Sequence, residues 1–168
     1  MNMITEGVIT ERGRWKTIWR IYKYDSEEKF RAGEVSEILE FEGNILLNEG
    51  INQLWTLACG GSGTNYGSAN ARIGVGDGTT EESATQTGLQ GTNKAFAGMD
   101  TGYPTYGSGQ KAVWRATFGG TVANFDWNEI TVVNAADDTG QNLNRKVQSM
   151  GTKAPGSVWT AELTITLS

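Results

Sequence analysis

The chain has 168 residues, enough for one packed domain or a domain carrying an arm. Its net charge of −5 disfavours broad electrostatic binding to nucleic acid, and no apolar run approaches the roughly 20 residues needed to span a bilayer. One cysteine, Cys59, excludes an intrachain disulfide, and the lack of histidine removes Ser-His-Asp and Cys-His catalysis and His-based zinc sites.

Glycine is abundant at 23 residues and proline scarce at 2, which suits a β-rich fold with many tight turns. Charge is unevenly spread: residues 1–42 hold 16 of the 33 formal charges. The opening Met1–Arg14 is polar and carries Glu6 and Glu11, unlike a secretory signal. The expected product is a soluble protein made in the cytoplasm. Residues 1–13 lack periodicity and read as a flexible or partner-dependent arm.

From Trp15 the pattern alternates, placing Trp15, Thr17, Trp19 and Ile21 on one strand face and Lys16, Ile18, Arg20 and Tyr22 on the other. The charged stretch Ser26–Gly33 breaks the run, and Val35, Leu39 and Phe41 resume it, so the segment reads as an arm-like hairpin. Residues 1–42 are therefore expected to form a charged N-terminal arm for subunit contacts, and 43–168 a β-rich scaffold. A helix over about 46–58 follows, with Leu47, Ile51, Leu54, Trp55 and Ala58 as its apolar stripe, Asn44 or Asn48 as N-cap and Gly60-Gly61 as its stop. Gly50 weakens that helix and calls for support by packing against a sheet.

Beyond it, Ala71–Gly76, Asn93–Asp100, Ala112–Phe118, Trp127–Asn134 and Trp159–Leu167 read as strands separated by turn-rich segments. Residues 101–110 and 135–142 read as turns and loop. The expected fold is mainly β: a β-sandwich or jelly-roll-like barrel with one packed helix and an N-terminal arm or hairpin.

Little in the sequence points to catalysis. Asp126 and Glu129 flank Trp127, and Asp137-Asp138 sit in a loop, but spacing gives no reason for two carboxyls to face across a cleft. A solvated surface explains all four more simply. Calcium ligation by Asp77, Asp100 or Asp137-Asp138 lacks a twelve-residue loop with the required spacing. Gly74-Val-Gly-Asp-Gly78 is a turn, not a dinucleotide fingerprint. The expectation is a non-enzyme with no cofactor and no metal. Trp55, Trp114 and Trp159 are expected in the core. Trp15 and Trp19, in the charged arm with Arg20, Ile21 and Tyr22, are the expected contacts with another subunit.

Several stretches carry a family likeness. Gly43–Trp55, Asn70–Gly78, Thr85–Gly91, Met99–Pro104, Trp114–Gly119, Ala123–Glu129, Leu143–Val147 and the closing Leu163–Ser168 resemble virion-associated structural proteins of tailed bacteriophages. The likeness spans roughly residues 43–168. It implies a capsid decoration protein on the outer surface of the head, homo-oligomeric with a trimer favoured, bound to the major capsid protein, and contacting neither nucleic acid nor membrane. The alternative it leaves is a tail or tail-fibre component, possibly a receptor- or glycan-binding module.

Overall fold

A computed structural model describes residues 13–168. The expected flexible arm at residues 1–13 lies, apart from Gly13, outside the described residues. In chain order the elements are β1 (Trp15–Tyr24), α1 (Glu27–Ala32), β2 (Glu37–Glu42), β3 (Ile45–Leu46), α2 (Asn48–Ala58), β4 (Arg72–Gly76), β5 (Lys94–Gly98), β6 (Thr105–Ser108), β7 (Lys111–Phe118), β8 (Asp126–Val133), β9 (Asn144–Thr152) and β10 (Val158–Leu167). No described helix is long and apolar enough to cross a membrane.

The strands form two five-stranded antiparallel sheets, ordered β2-β1-β10-β7-β6 and β3-β9-β8-β4-β5. Both sheets are open. The expected β-sandwich or jelly-roll-like barrel is thus corrected: the fold is mainly β, but its two sheets are separate and unclosed, and it carries two short helices. A lone bridge between Met99 and Ala116 marks where the chain passes from one sheet to the other, and it does not extend into a ladder. Alternation of apolar residues reports which strand face is buried, not which strand edge is paired, so it could not reveal closure.

The division at residue 42 coincides with no break in the sheets. β1 is hydrogen-bonded between β2 and β10, pairing with β10 from Trp15↔Leu167 to Tyr24↔Val158. The ends of the described chain clasp each other, the Arg14 amide donating to the Ser168 carbonyl at 2.7 Å and the Ser168 amide to Arg14 at 3.1 Å.

Inward residues of both sheets share one core, with Trp19, Ile21, Trp114, Phe118 and Leu163 from the first and Ile73, Trp127, Ile130 and Met150 from the second. Trp127 is its centre, meeting Phe118 and Trp159 edge-to-face at centroid distances of 4.8 and 4.9 Å, the geometry that aromatic quadrupoles favour. Its indole N–H donates to the Ala123 carbonyl at 2.9 Å, whereas the buried Trp19 Nε1 in the same core has no partner among the described residues.

A shift in the β8–β9 register falls between Trp127 and Glu129. Before it the odd-numbered Trp127 faces the core, and after it the even-numbered Ile130 and Val132 do. Glu129 and Thr131 therefore turn to the opposite face, where the long β4–β5 connection covers Glu129 and the Thr131 hydroxyl reaches Asn142 and Asn144. Glu129 accepts from the backbone amides of Gly78 (3.1 Å), Gln90 (2.9 Å) and Gly91 (2.7 Å) and from Arg145 Nε (2.8 Å). Arg145 Nη1 in turn donates to the Thr80 carbonyl and to Gln86 Oε1. Both side chains are wholly buried. An ion pair so enclosed is stable only if its remaining lone pairs and protons are largely satisfied, and the connection supplies most of those groups, leaving Arg145 Nη2 with only its 2.8 Å approach to Glu129 Oε2.

Candidate assembly surface

The second helix is pressed against the start of β9. A Cβ at Gly50 would lie 2.5 Å from Leu143 Cα and 2.7 Å from the Asn142 carbonyl oxygen, so only glycine permits this approach. Glu49 Oε1 accepts from the Asn142 amide at 2.7 Å, and the Leu47 amide donates to the Leu143 carbonyl at 3.1 Å. The helix begins without a side-chain cap, its N-cap being Leu47 and neither Asn44 nor Asn48.

With Gly50 turned inward, the apolar stripe rotates away from the expected one. Leu47 is buried, Leu54 and Leu57 are half-buried, and Trp55 leaves 67% of its surface in solvent. The expected core role holds for Trp114 and Trp159 and is corrected for Trp55.

Between the helix and the neighbouring sheet end runs a furrow. One stretch, of about 470 Å³, is lined by Trp15, Leu54, Trp114, Leu143, Ile165 and Leu167. A second, of about 380 Å³, shares Leu54, Ala112 and Trp114 and reaches Leu57, Pro104 and Tyr106. The cross-strand pair Trp15 and Leu167 forms one rim, each with nearly half its surface exposed, at 45% and 44%. Tyr106, 78% exposed, stands at the far end. Apolar side chains of this size, left exposed beside a filled core, mark a contact surface more than they stabilise the monomer.

Of the expected contact residues, only Trp15 lies on this rim. Trp19 and Ile21 are fully buried and face the shared core, so they cannot reach a neighbour. The expectation that they serve as subunit contacts is corrected on that ground. Nor can β1 add itself to another chain's sheet, because both its edges are occupied. Arg20 and Tyr22 point to the outer face of the first sheet, where the register places Glu40, Arg20, Glu162 and Arg115 in one row across four strands.

The charges in that row alternate. Arg20 meets Glu40 at 2.7 Å and Glu162 at 3.6 Å, while Arg115 lies 3.9 Å from Glu162 and 3.4 Å from Asp100. Burial raises the Tyr22 hydroxyl above its ordinary pKa, with Glu162 adding to the effect, and the Arg115 guanidinium covers the Tyr22 ring at 5.5 Å. The row satisfies its own charges and offers a partner a neutral, structured face.

The carboxylates singled out by sequence serve the fold. Asp126 accepts from the Thr152 hydroxyl. Asp137 closes a turn with the amide and hydroxyl of Thr139, which lower its pKa. Asp138 binds Lys94 at 2.9 Å. Glu129 is the exception to the solvated reading, being buried on Arg145. Among the described residues no three acidic or cysteine side chains converge in a way that could hold a metal ion. No protein-family model, curated protein or solved structure matches the chain.

Proposed function

We propose that this protein is a structural component of a tailed-phage virion, a non-enzymatic decoration protein that binds the assembled capsid shell as a homo-oligomer. The likeness of residues 43–168 to phage structural proteins supplies the class. The observation that carries the binding is the furrow rimmed by Trp15 and Leu167, an apolar surface that the monomer leaves in water. The major capsid protein, in the arrangement it takes only in the finished shell, is the partner that covers it.

A protein that binds the lattice and not its free subunits stabilises the lattice by mass action. An oligomer engaging several lattice points at once gains avidity without any new kind of contact. Burying the rim aromatic and its aliphatic neighbour is the hydrophobic part of that hold.

The test is co-sedimentation with emptied, expanded heads. Trp15→Glu combined with Leu167→Glu is expected to abolish shell occupancy while the thermal midpoint and near-ultraviolet dichroism stay close to wild type. Full occupancy by the double variant would remove the furrow from the attachment. Label found only along the tail in images of whole particles would replace the decoration reading with the tail or tail-fibre one.

A further inference from the structure

A second cleft adjoins the furrow at Pro104 and Tyr106, which line both. It measures about 450 Å³, and its walls are Asn65, Ser68 and Asn70 on one side and Tyr103, Pro104 and Tyr106 on the other. No charged side chain lines it. We propose that this cleft binds a neutral saccharide.

The asparagine wall is rigid before any ligand arrives. Trp114 Nε1 donates to the Tyr66 carbonyl at 3.0 Å, and the buried Tyr66 ring anchors its hydroxyl on the Gln141 carbonyl at 3.1 Å. Both Gln53 and Asn134 donate side-chain amide protons to the Thr64 carbonyl, at 2.9 and 2.7 Å. Asn65 Oδ1 accepts from the Gly67 amide and from Asn70 Nδ2 at 3.0 and 3.1 Å. These bonds fix the orientation of both amides. Asn65 Nδ2, a donor, and Asn70 Oδ1, an acceptor, are thereby left without a partner among the described residues, with the Ser68 hydroxyl beside them.

Such a set matches sugar chemistry. Each sugar hydroxyl both donates and accepts, which fixed amides and a hydroxyl can meet in pairs. The C–H face of a pyranose is apolar and stacks on an aromatic ring, and Tyr106 is the most exposed large ring available. Fixed polar groups beside an aromatic wall in a preformed hollow are the usual make-up of a small-ligand site. The lack of a lining cation disfavours phosphates and nucleic acid.

Saturation-transfer NMR on the full chain tests this, with malto-, cello- and chito-oligosaccharides at millimolar concentration as probes. At least one is expected to receive saturation at its ring C–H protons and to shift the Asn65 and Asn70 amide resonances. Tyr106→Ala is expected to weaken that binding about tenfold, and Ser68→Ala to weaken it less. Trp55→Ala, an exposed aromatic outside the cleft, is expected to leave it unchanged. Silence from every probe overturns the proposal. So does binding that survives both Tyr106→Ala and Ser68→Ala, or a cleft that proves occupied by a partner polypeptide. Shell occupancy enters neither outcome, so the two proposals stand or fall separately.

Discussion

Lys153 carries its ammonium into the corner where the β7–β8 and β9–β10 connections meet. The residue is 1% exposed, and its Nζ donates to the Gly119 carbonyl and to Asn124 Oδ1, both at 2.8 Å. Those acceptors are neutral, and burial alone lowers its pKa from the ordinary lysine value near 10.5. Between the lowered folded-state value and about 10.5 the unfolded chain holds this proton while the folded chain has released it. The unfolded state then binds more protons, so this group's contribution to stability rises with pH across that window. Lys153→Met removes the effect. The expected result is that wild type gains stability relative to the variant as pH climbs through the alkaline range, measured as the difference between two sets of urea unfolding curves. Taking the difference cancels tyrosines such as Tyr66, whose hydroxyl burial pushes upward. A flat difference would mean that Lys153 is solvated in the folded protein. Nothing in the sequence distinguishes Lys153 from the other lysines, because its burial depends on the approach of two distant turns, as in the Gly156 amide's 2.8 Å bond to the Gly120 carbonyl.

At the scale of elements, the two helices differ in how they could be read. The first carries no apolar stripe, only Phe30, and so passes for a charged turn by periodicity. Its end signals are nevertheless complete. Ser26 accepts from the Lys29 amide at 3.2 Å, Glu27 and Glu28 occupy the first turn, Lys29 and Arg31 the last, and Gly33 closes it at φ +70°. Capping chemistry was legible there where hydrophobic period was not. The second helix was legible by period, but its rotation was not. A stripe through Trp55 and one through Gly50 fit the residues almost equally, and the contact with Leu143 that decides between them is nearly a hundred residues away. Gly50→Ala separates propensity from packing. Alanine gains about 1 kcal/mol of helix preference, but its Cβ meets backbone at 2.5 Å, and overpacking of this kind costs about 1–3 kcal/mol. Because backbone atoms cannot swing aside, the clash prevails. The variant is expected to lose up to about 2 kcal/mol in chemical denaturation, with perturbed shell binding, since Leu143 also lines the furrow. A stabilised variant would show that the helix stands off from β9.

For the molecule as a whole, the decisive feature is that the charged first quarter is built into the first sheet. Seven of the strands were visible as alternating or apolar runs, while β9, Asn144–Thr152, carries no clear period. The short β6, all of it exposed, was hidden in turn-rich sequence, and the two-residue β3 adjoins the helix. Charge density suggested a detachable arm because β1 has two faces of opposite character. Its outer face holds Lys16, Arg20 and Tyr22, while its inner face delivers Trp19 and Ile21 to the core. A segment can therefore be charged in composition and central in structure. Removing residues 1–42 would strip β1 and β2 together, empty the places of Trp19 and Ile21, and leave the ten-residue β10 as an open edge. An edge of that length, with Trp159, Leu163 and Ile165 on its inner face, is a template for intermolecular pairing. The truncated chain is expected to aggregate or to lose its near-ultraviolet tryptophan signal and cooperative melting. Such a deletion would then abolish shell binding whatever the attachment surface, which is why point changes at Trp15 and Leu167 are the discriminating variants. Cooperative melting of the truncated chain at a temperature near wild type would mean that the second sheet, with β7 and β10, supports a core of its own. In that case the first quarter would regain its standing as a separable attachment device.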